Sequence, residues 1–509
     1  MRTAHIGASS FVADRVDDLG LLTLANSITA VIAAALIAAT AASMRSAMTY
    51  DEGVYLSLAR EITSTGLPSR LDWDDLRHMA LFETSPPLVM YVAAVTQLLW
   101  PGHEMPSRIV QIGLFVLPTY LLVWWITRRR FGPWAAAAAL LALLSSREYL
   151  LAAGHVMLDV PLGLLALIVL FCFDRALASS TSPESQRRWA LLAAAALILA
   201  TWTKYQAVCI CAAIALYSAY LLVRPASNER AMVRLKMPIA AAVAAGALAL
   251  VVLITYFIGF GGTSNLKWAL AFNAERLSIG SETWRSIAVD ALGVATHTVW
   301  TIGPVLLASA LAAWLVQPRD RGLVALLTAY VLATIAFSVI FFRLAGSGSY
   351  YLHSAVPAVA VLTGGAAGAL LDAVRPAGRG AAVLLVVAAV QLVAAPPSLF
   401  RAKSSPSVRQ AADYITHHAD VNALVLAPTL ETEFYTRRRV VVIPEVRPDV
   451  LLGALQAGSP TNVNYVVVEP GKTTPGTECI ADEWNDLLRR NFTRAPVGAP
   501  ELILYERSH

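Results

Sequence analysis

Residues 86–100 read Pro86-Pro87-Leu88-Val89-Met90-Tyr91-Val92-Ala93-Ala94-Val95-Thr96-Gln97-Leu98-Leu99-Trp100. The topology of the chain turns on whether this apolar stretch crosses a membrane. About 15 residues opening on a di-proline fall short of the roughly 20 that a spanning helix needs. The segment therefore reads as a re-entrant or interfacial helix, and that reading fixes the side of every loop that follows.

Hydrophobic residues make up 57% of the 509-residue chain and charged residues 14%, which is far from the balance of a soluble domain. Apolar runs bounded by Arg/Lys clusters or Gly/Pro predict about 11 spanning helices. They fall near 25–47, 108–127, 133–147, 160–173, 189–203, 206–223, 238–258, 291–316, 323–342, 351–373 and 380–396. The basic clusters are Arg128-Arg129-Arg130, Arg175 with Arg187-Arg188, Arg224 through Lys236, Arg319-Asp320-Arg321 and Arg375 through Arg379. With a cytoplasmic N-terminal segment (1–24) and a non-spanning 86–100, every cluster lands inside, as the distribution of Lys and Arg in membrane proteins requires. The net charge of +5 is thereby explained by short inner loops, and a nucleic-acid partner is not expected. Asp14, Asp17 and Asp18 precede a full-length apolar span, so that span is expected to remain as an anchor. Cys172, Cys209 and Cys211 sit in apolar spans as small hydrophobes, and Cys479 stands alone in the polar C-terminal part.

The same parity places a first outer loop (49–107), residues 148–159, a turn at Lys204, residues 259–290 and 343–350, and everything after 397 on the outer side. After Pro396-Pro397 the apolar runs shorten to strand length, at 423–426, 440–443, 465–468 and 502–505, with helical patterns around 406–418 and 482–491. The expected architecture is a helical polytopic domain over 25–397, with interfacial helices, and a small extracytoplasmic α/β domain over 398–509. Multi-pass insertion in the cell (inner or plasma) membrane follows.

Chemistry-bearing residues concentrate outside. Asp51-Glu52 follow the first span directly, where two adjacent carboxylates are costly near hydrocarbon. Val54, Leu58 and Ile62 after them make one apolar face of an expected amphipathic helix whose N-terminus favours the acids. Glu83 precedes the di-proline. Asp159, two residues before Pro161, opens a span, where capping alone would also account for it. Lys204 interrupts an otherwise continuous apolar run, either snorkelling to headgroups or gripping an anion. Tyr350-Tyr351 form an outer aromatic pair, and Arg276 adds positive charge in 259–290.

In order, the chain carries Asp51-Glu52-Gly53-Val54-Tyr55, Phe82-Glu83-Thr84-Ser85-Pro86-Pro87-Leu88, Leu158-Asp159-Val160-Pro161, Thr203-Lys204 and Tyr350-Tyr351. This series resembles the bacterial GT-C glycosyltransferases, the superfamily of protein O-mannosyltransferases and the lipid A aminoarabinose transferase, over roughly residues 20–400. The family pattern often has Arg at the position of Val54 and Lys at that of Thr84, so this chain departs from it at both. The resemblance implies sugar transfer from a polyprenyl-phosphate donor to an extracytoplasmic acceptor (lipid, glycan or protein). It implies Asp51 as the catalytic carboxylate, and Glu52, Tyr55, Glu83 and Asp159 as acceptor or active-site residues. Lys204, with Tyr350, Tyr351 and Arg276, would hold the donor phosphate.

Residue chemistry agrees with that expectation. A carboxylate base takes the acceptor proton as the glycosidic bond forms, and a cation meets the leaving phosphate. A single displacement inverts the anomeric centre. Glu83 and Asp159 offer oxygen ligands suited to a hard cation such as Mg²⁺ or Mn²⁺, and a metal-free route is equally open. The alternative function is a secondary transporter using Asp51, Glu52 and Asp159 as ion or proton sites. Such sites usually lie at mid-membrane within repeat symmetry, and no internal repeat is visible. The residues of the C-terminal domain leave two roles open for it, acceptor recognition and shielding of the site.

Overall fold

The computed structural model describes residues 6–46, 48–68, 86–178, 182–223, 235–256, 258–259, 321–345, 348–373, 406–420, 422–428, 431–443, 448–456, 463–468, 477, 480–498 and 502–508. Helix α1 (Ile6–Ser43) leads to α2 (Tyr50–Thr65), α3 (Leu88–Leu99) and α4 (Glu104–Gln111). A π turn, Ile112–Val116, joins α4 to α5 (Leu117–Phe131), so that Glu104–Phe131 is one long rod. Next come α6 (Pro133–Ser145), α7 (Arg147–Ala153), α8 (Asp159–Leu177), α9 (Pro183–Thr203), α10 (Val208–Val223) and α11 (Leu235–Tyr256). Further along come α12 (Arg321–Ala345), a 3₁₀ stretch Gly348–Ala355 and α13 (Val356–Ala373).

Among the described residues seven helices are long and apolar enough to cross a membrane, or eight if the broken pair α6–α7, bent by 80°, counts as one span. The expected spans 291–316 and 380–396 lie outside the described residues. Helix α3 has 12 residues, about 18 Å at 1.5 Å per residue, and does not cross. It lies instead against α2, with Met90 and Val89 buried among Leu56, Leu58 and Ala59.

Side-chain contacts sort the described helix ends into two groups. At one end Arg130 pairs with Asp174 at 2.5 Å, and Arg128 donates to the Asn26 Oδ1 at 3.0 Å. Arg128 and Arg129 also lie over the rings of Trp124 and Trp125. At the other end Glu52 meets Arg108, Lys204 meets Asp159, and Tyr91 lies 3.4 Å from Tyr256. These are called below the Arg130 end and the Asp51 end.

Helix α8 is the axis of the bundle, buried along almost its whole length. A second seam joins α13 to α6. A Cβ on Gly364 would lie 2.6 Å from the Ala135 carbonyl oxygen and 2.8 Å from the Ala139 Cβ; one on Gly368 would lie 2.8 Å from the Ala135 Cβ. Small residues four apart on both helices let the backbones touch, which is how helices pair where hydrocarbon gives no hydrophobic drive.

The C-terminal part folds as expected into an α/β unit: α14 (Pro406–His418), β1 (Leu424–Ala427), α15 (Glu431–Thr436), β2 (Arg439–Val442), α16 (Pro448–Leu455), β3 (Val463–Val468), α17 (Ala481–Asn491), β4 (Phe492–Arg494) and β5 (Ile503–Arg507). The five strands run in the order β2-β1-β3-β5-β4, parallel across β2-β1-β3 and antiparallel at β5 and β4. Strand β4 is the one strand among these that the apolar runs did not announce, because Phe492-Thr493-Arg494 buries only Phe492. This unit sits on the Asp51 end. Phe434 of α15 and Val442 of β2 are buried in one apolar cluster with Val54, Leu58 and Ile62 of α2. Arg60 Nη1 donates to the Phe434 carbonyl, and Arg409 of α14 pairs with Glu104 at the tip of α4.

Replacing Gly364 with Val should force α13 off α6. The expected loss is about 1–3 kcal/mol of stability, seen as a lower unfolding temperature of the detergent-solubilised protein.

Candidate active site

The N-terminus of α2 is built by Thr49, whose Oγ1 accepts the Glu52 backbone N–H at 3.2 Å. Asp51 and Glu52 thus occupy the first turn, where the helix dipole and unsatisfied N–H groups favour negative charge. Successive helical residues point about 100° apart, so the two carboxylates part company. Asp51 is half-buried, whereas Glu52 is wholly withdrawn from solvent.

Glu52 is held by a fork. Arg108 donates from Nε to Oε1 at 2.8 Å and from Nη2 to Oε2 at 2.6 Å, while the Val156 N–H reaches Oε1 at 3.0 Å. The other terminal nitrogen of Arg108 donates to the Met44 and Ser46 carbonyls at 2.5 and 3.0 Å. One guanidinium therefore ties the end of α1, the start of α2 and the rod 104–131 together. His155 joins the same knot, its Nε2 3.0 Å from Ser46 Oγ and 3.8 Å from Glu52 Oε2. The loop can come this close because residue 154 is glycine: a Cβ there would lie 2.0 Å from Ser43 Oγ and 2.8 Å from the Met44 nitrogen.

Asp159 opens α8 three residues beyond Val156. Its two oxygens each accept from Lys204 Nζ at 2.8 Å. Lys204 is the extended residue that ends α9 (φ −161°), so a break in the apolar run places the ammonium where a continuing helix could not. Asp159 is buried, and the Lys204 side chain keeps 16% of its surface open. The 3₁₀ stretch that carries Tyr350 and Tyr351 packs on α8 one turn below Asp159, since a Cβ on Gly163 would be 3.0 Å from the Ser354 carbonyl.

The structure thus brings Asp51, Glu52, Asp159 and Lys204 to one end of the bundle, linked through Val156 and Met157. Tyr55 is buried one turn beyond Asp51 on α2. Glu83 and Arg276 lie outside the described residues, as do the side chains of Tyr350 and Tyr351. All the Glu52 oxygens are occupied by Arg108 and Val156, so its geometry supports positioning of the α2 turn rather than contact with an acceptor. Of the two residues expected to ligate a Mg²⁺ or Mn²⁺ ion, Asp159 has both oxygens on the Lys204 ammonium and Glu83 lies outside the described residues; among the described residues no three His, Cys, Asp or Glu gather.

Sequence reasoning missed Arg108, taking it as the edge of a span. The signal was present, because an Arg at an outer helix end runs against the positive-inside trend and calls for an anionic partner on that side. Removing one member of a buried, bidentate pair leaves the other charge uncompensated, at a cost of about 3–5 kcal/mol. Arg108→Ala should therefore lower the unfolding temperature strongly, and the double variant Glu52→Ala/Arg108→Ala should lose less than the two single losses added together.

Similarity to known proteins covers part of the sequence and nearly all of the fold. Residues 84–257 match the family model described as dolichyl-phosphate-mannose-protein mannosyltransferase. No curated protein sequence matches the chain. Among solved structures, apo ArnT from Cupriavidus metallidurans is 17% identical with a TM-score of 0.63, covering 94% of this chain and 98% of that one. ArnT from the same organism bound to undecaprenyl phosphate is 18% identical with a TM-score of 0.58, covering 94% and 97%. The oligosaccharyltransferase AglB from Archaeoglobus fulgidus, in complex with an inhibitory peptide and a dolichol-phosphate, is 13% identical with a TM-score of 0.55, covering 94% and 74%. The fold is shared over nearly the whole chain. Residues 84–257 are thus similar to a mannosyltransferase family, and the chain shares its fold with ArnT and AglB.

Proposed function

We propose that the protein transfers a sugar from a polyprenyl-phosphate donor to an acceptor on the extracytoplasmic face of the cell membrane, with inversion and with Asp51 as the base. The observation that carries this reading is the gathering of a half-buried carboxylate, Asp51, and a buried Asp159–Lys204 pair at one membrane end of a GT-C fold. Support for the donor class comes from ArnT, solved with undecaprenyl phosphate, and AglB, solved with a dolichol-phosphate.

In this mechanism an acceptor hydroxyl attacks the anomeric carbon from the face opposite the lipid phosphate. Asp51 takes its proton as the new C–O bond forms, and the bond from carbon to phosphate oxygen breaks. The lipid phosphate leaves with the electron pair, and the exposed part of Lys204 meets the growing negative charge while Asp159 fixes the ammonium. Glu52 acts at one remove, locking the turn that presents Asp51. Tyr55, Glu83, Arg276, Tyr350 and Tyr351 complete the proposed donor and acceptor contacts.

Asp51→Asn should lower transfer from a synthetic polyprenyl-phosphate sugar by about 10²–10⁴-fold with an unchanged unfolding temperature; undiminished transfer would remove Asp51 as base. Lys204→Ala alone strands a buried carboxylate, so the informative variant is Asp159→Asn/Lys204→Ala. It should fold and yet raise the donor KM by about tenfold or more, a loss of about 1.4 kcal/mol. An unchanged donor KM would leave the pair a purely structural role.

A further inference from the structure

Arg108 shows how this end of the molecule uses a buried guanidinium: its Nε–Nη2 edge forks onto a carboxylate, and Nη1 caps backbone carbonyls. Arg60 of α2 is held in a similar way where α2 meets the C-terminal domain. Only 7% of its surface is exposed, and its Nη1 donates to the Phe434 carbonyl in the last turn of α15. The Phe434 ring lies 5.5 Å from Arg60 Cζ. Gly102 packs on the same guanidinium, since a Cβ there would lie 3.6 Å from Nη1 and 3.7 Å from Nη2. The Nε–Nη2 edge differs from that of Arg108. Arg60 Nε is buried without a hydrogen-bond partner, and among the described residues Nη2 has none either. The neighbouring Glu61 turns about 100° away around α2 and accepts from Ser64 Oγ at 3.4 Å. Three residues beyond Phe434 stands Arg437, exposed, its N–H closing α15 on the Glu433 carbonyl at 3.0 Å. Its φ of 53° is in the left-handed region where helix ends usually carry glycine. Among the described residues neither Arg60 nor Arg437 forms an ion pair.

We propose that Arg60 and Arg437 form a binding site for a phosphate-class oxyanion at the seam between α2 and the C-terminal domain. The Nε–H and Nη2–H bonds of a guanidinium run parallel and match two oxygens of one anion. A buried cation without a counter-charge is costly, and a second cation beside it adds repulsion that a shared anion reverses. Burial first, and then the Arg437 charge, hold the Arg60 guanidinium down from its ordinary 12.5 to about 10, against the pull of Glu61. Phosphate suits the pair better than a carboxylate, because it keeps oxygens for Arg437 after Arg60 has taken two. The loop that carries Gly102 follows Leu98, Leu99 and Trp100, all exposed at the end of the non-spanning α3, which places the site near headgroup level. A lipid headgroup and a free phosphate offer the same chemistry there. Nine residues along α2, Arg60 projects about half a turn away from Asp51, so this site is separate from the proposed active site. One arginine belongs to α2 and the other to the end of α15, so a bound anion ties the C-terminal domain to the helix that presents Asp51. The proposal stands whether or not sugar transfer is the reaction.

The test uses the full-length protein in a maltoside detergent at constant ionic strength. It is titrated in one arm with inorganic phosphate and in another with phosphatidylglycerol, with sodium chloride as the control. Unfolding temperature and amide-exchange protection of residues 431–436 should both rise with at least one of the two ligands. A response to inorganic phosphate supports the site with a soluble ligand, and one confined to phosphatidylglycerol supports it with a headgroup. Arg437→Gly relieves the left-handed strain, so without ligand it should unfold at the same or a higher temperature. Its half-saturating ligand concentration should nevertheless rise by about tenfold or more. Arg60→Gln keeps a donor for the Phe434 carbonyl and should lose the response. A wild-type protein that responds to neither ligand beyond the chloride control would overturn the proposal. So would half-saturation that is unchanged in Arg437→Gly.

Discussion

The two-pronged contact of Arg108 with Glu52 is the constraint on which the rest of the Asp51 end is hung. Through one ion pair the end of α1, the first turn of α2, the rod 104–131 and the loop before α8 are fixed to one another, the loop through the Val156 N–H on Glu52. Two charges that are individually expensive to bury become affordable together because nearly every donor and acceptor in the knot is used. The geometry of Asp51 is inherited from this knot: it sits on the same helical turn as Glu52, so fixing one fixes the direction of the other.

A division of labour follows between two ion pairs. Glu52–Arg108 is sealed and serves the framework. Asp159–Lys204 is formed at the broken end of a helix and keeps part of the ammonium open to the surface. For the proposed donor site the two kinds are complementary, one holding shape and one offering an electrostatic contact when an anionic ligand arrives.

How much of this was legible in the sequence depended on range. The described spans, the short helix 88–99 and the C-terminal strands other than β4 followed from local periodicity and length. The parting of Asp51 from Glu52 was available in principle, since neighbours on a helix cannot face the same way. Which of them turns inward depended on Arg108, 56 positions away, and no local pattern encodes such a pairing. The pair of Arg409 with Glu104 was hidden more thoroughly, because it comes into being only when two separately patterned domains meet. Residues whose meaning is set by long-range closure, rather than by their own neighbourhood, stay silent until the fold is known.

The seam of Gly364 and Gly368 against Ala135 and Ala139 bears on how such a molecule can diversify. Backbones in contact leave no slack, so the helix bearing the Tyr350–Tyr351 turn cannot slide to make room for a bulkier ligand. Freedom to accommodate new partners is therefore displaced to the other wall, formed by α2 and the C-terminal domain. Over generations of sequence change the membrane face should behave as a fixed anvil, and variation in what is recognised should accumulate in the cap.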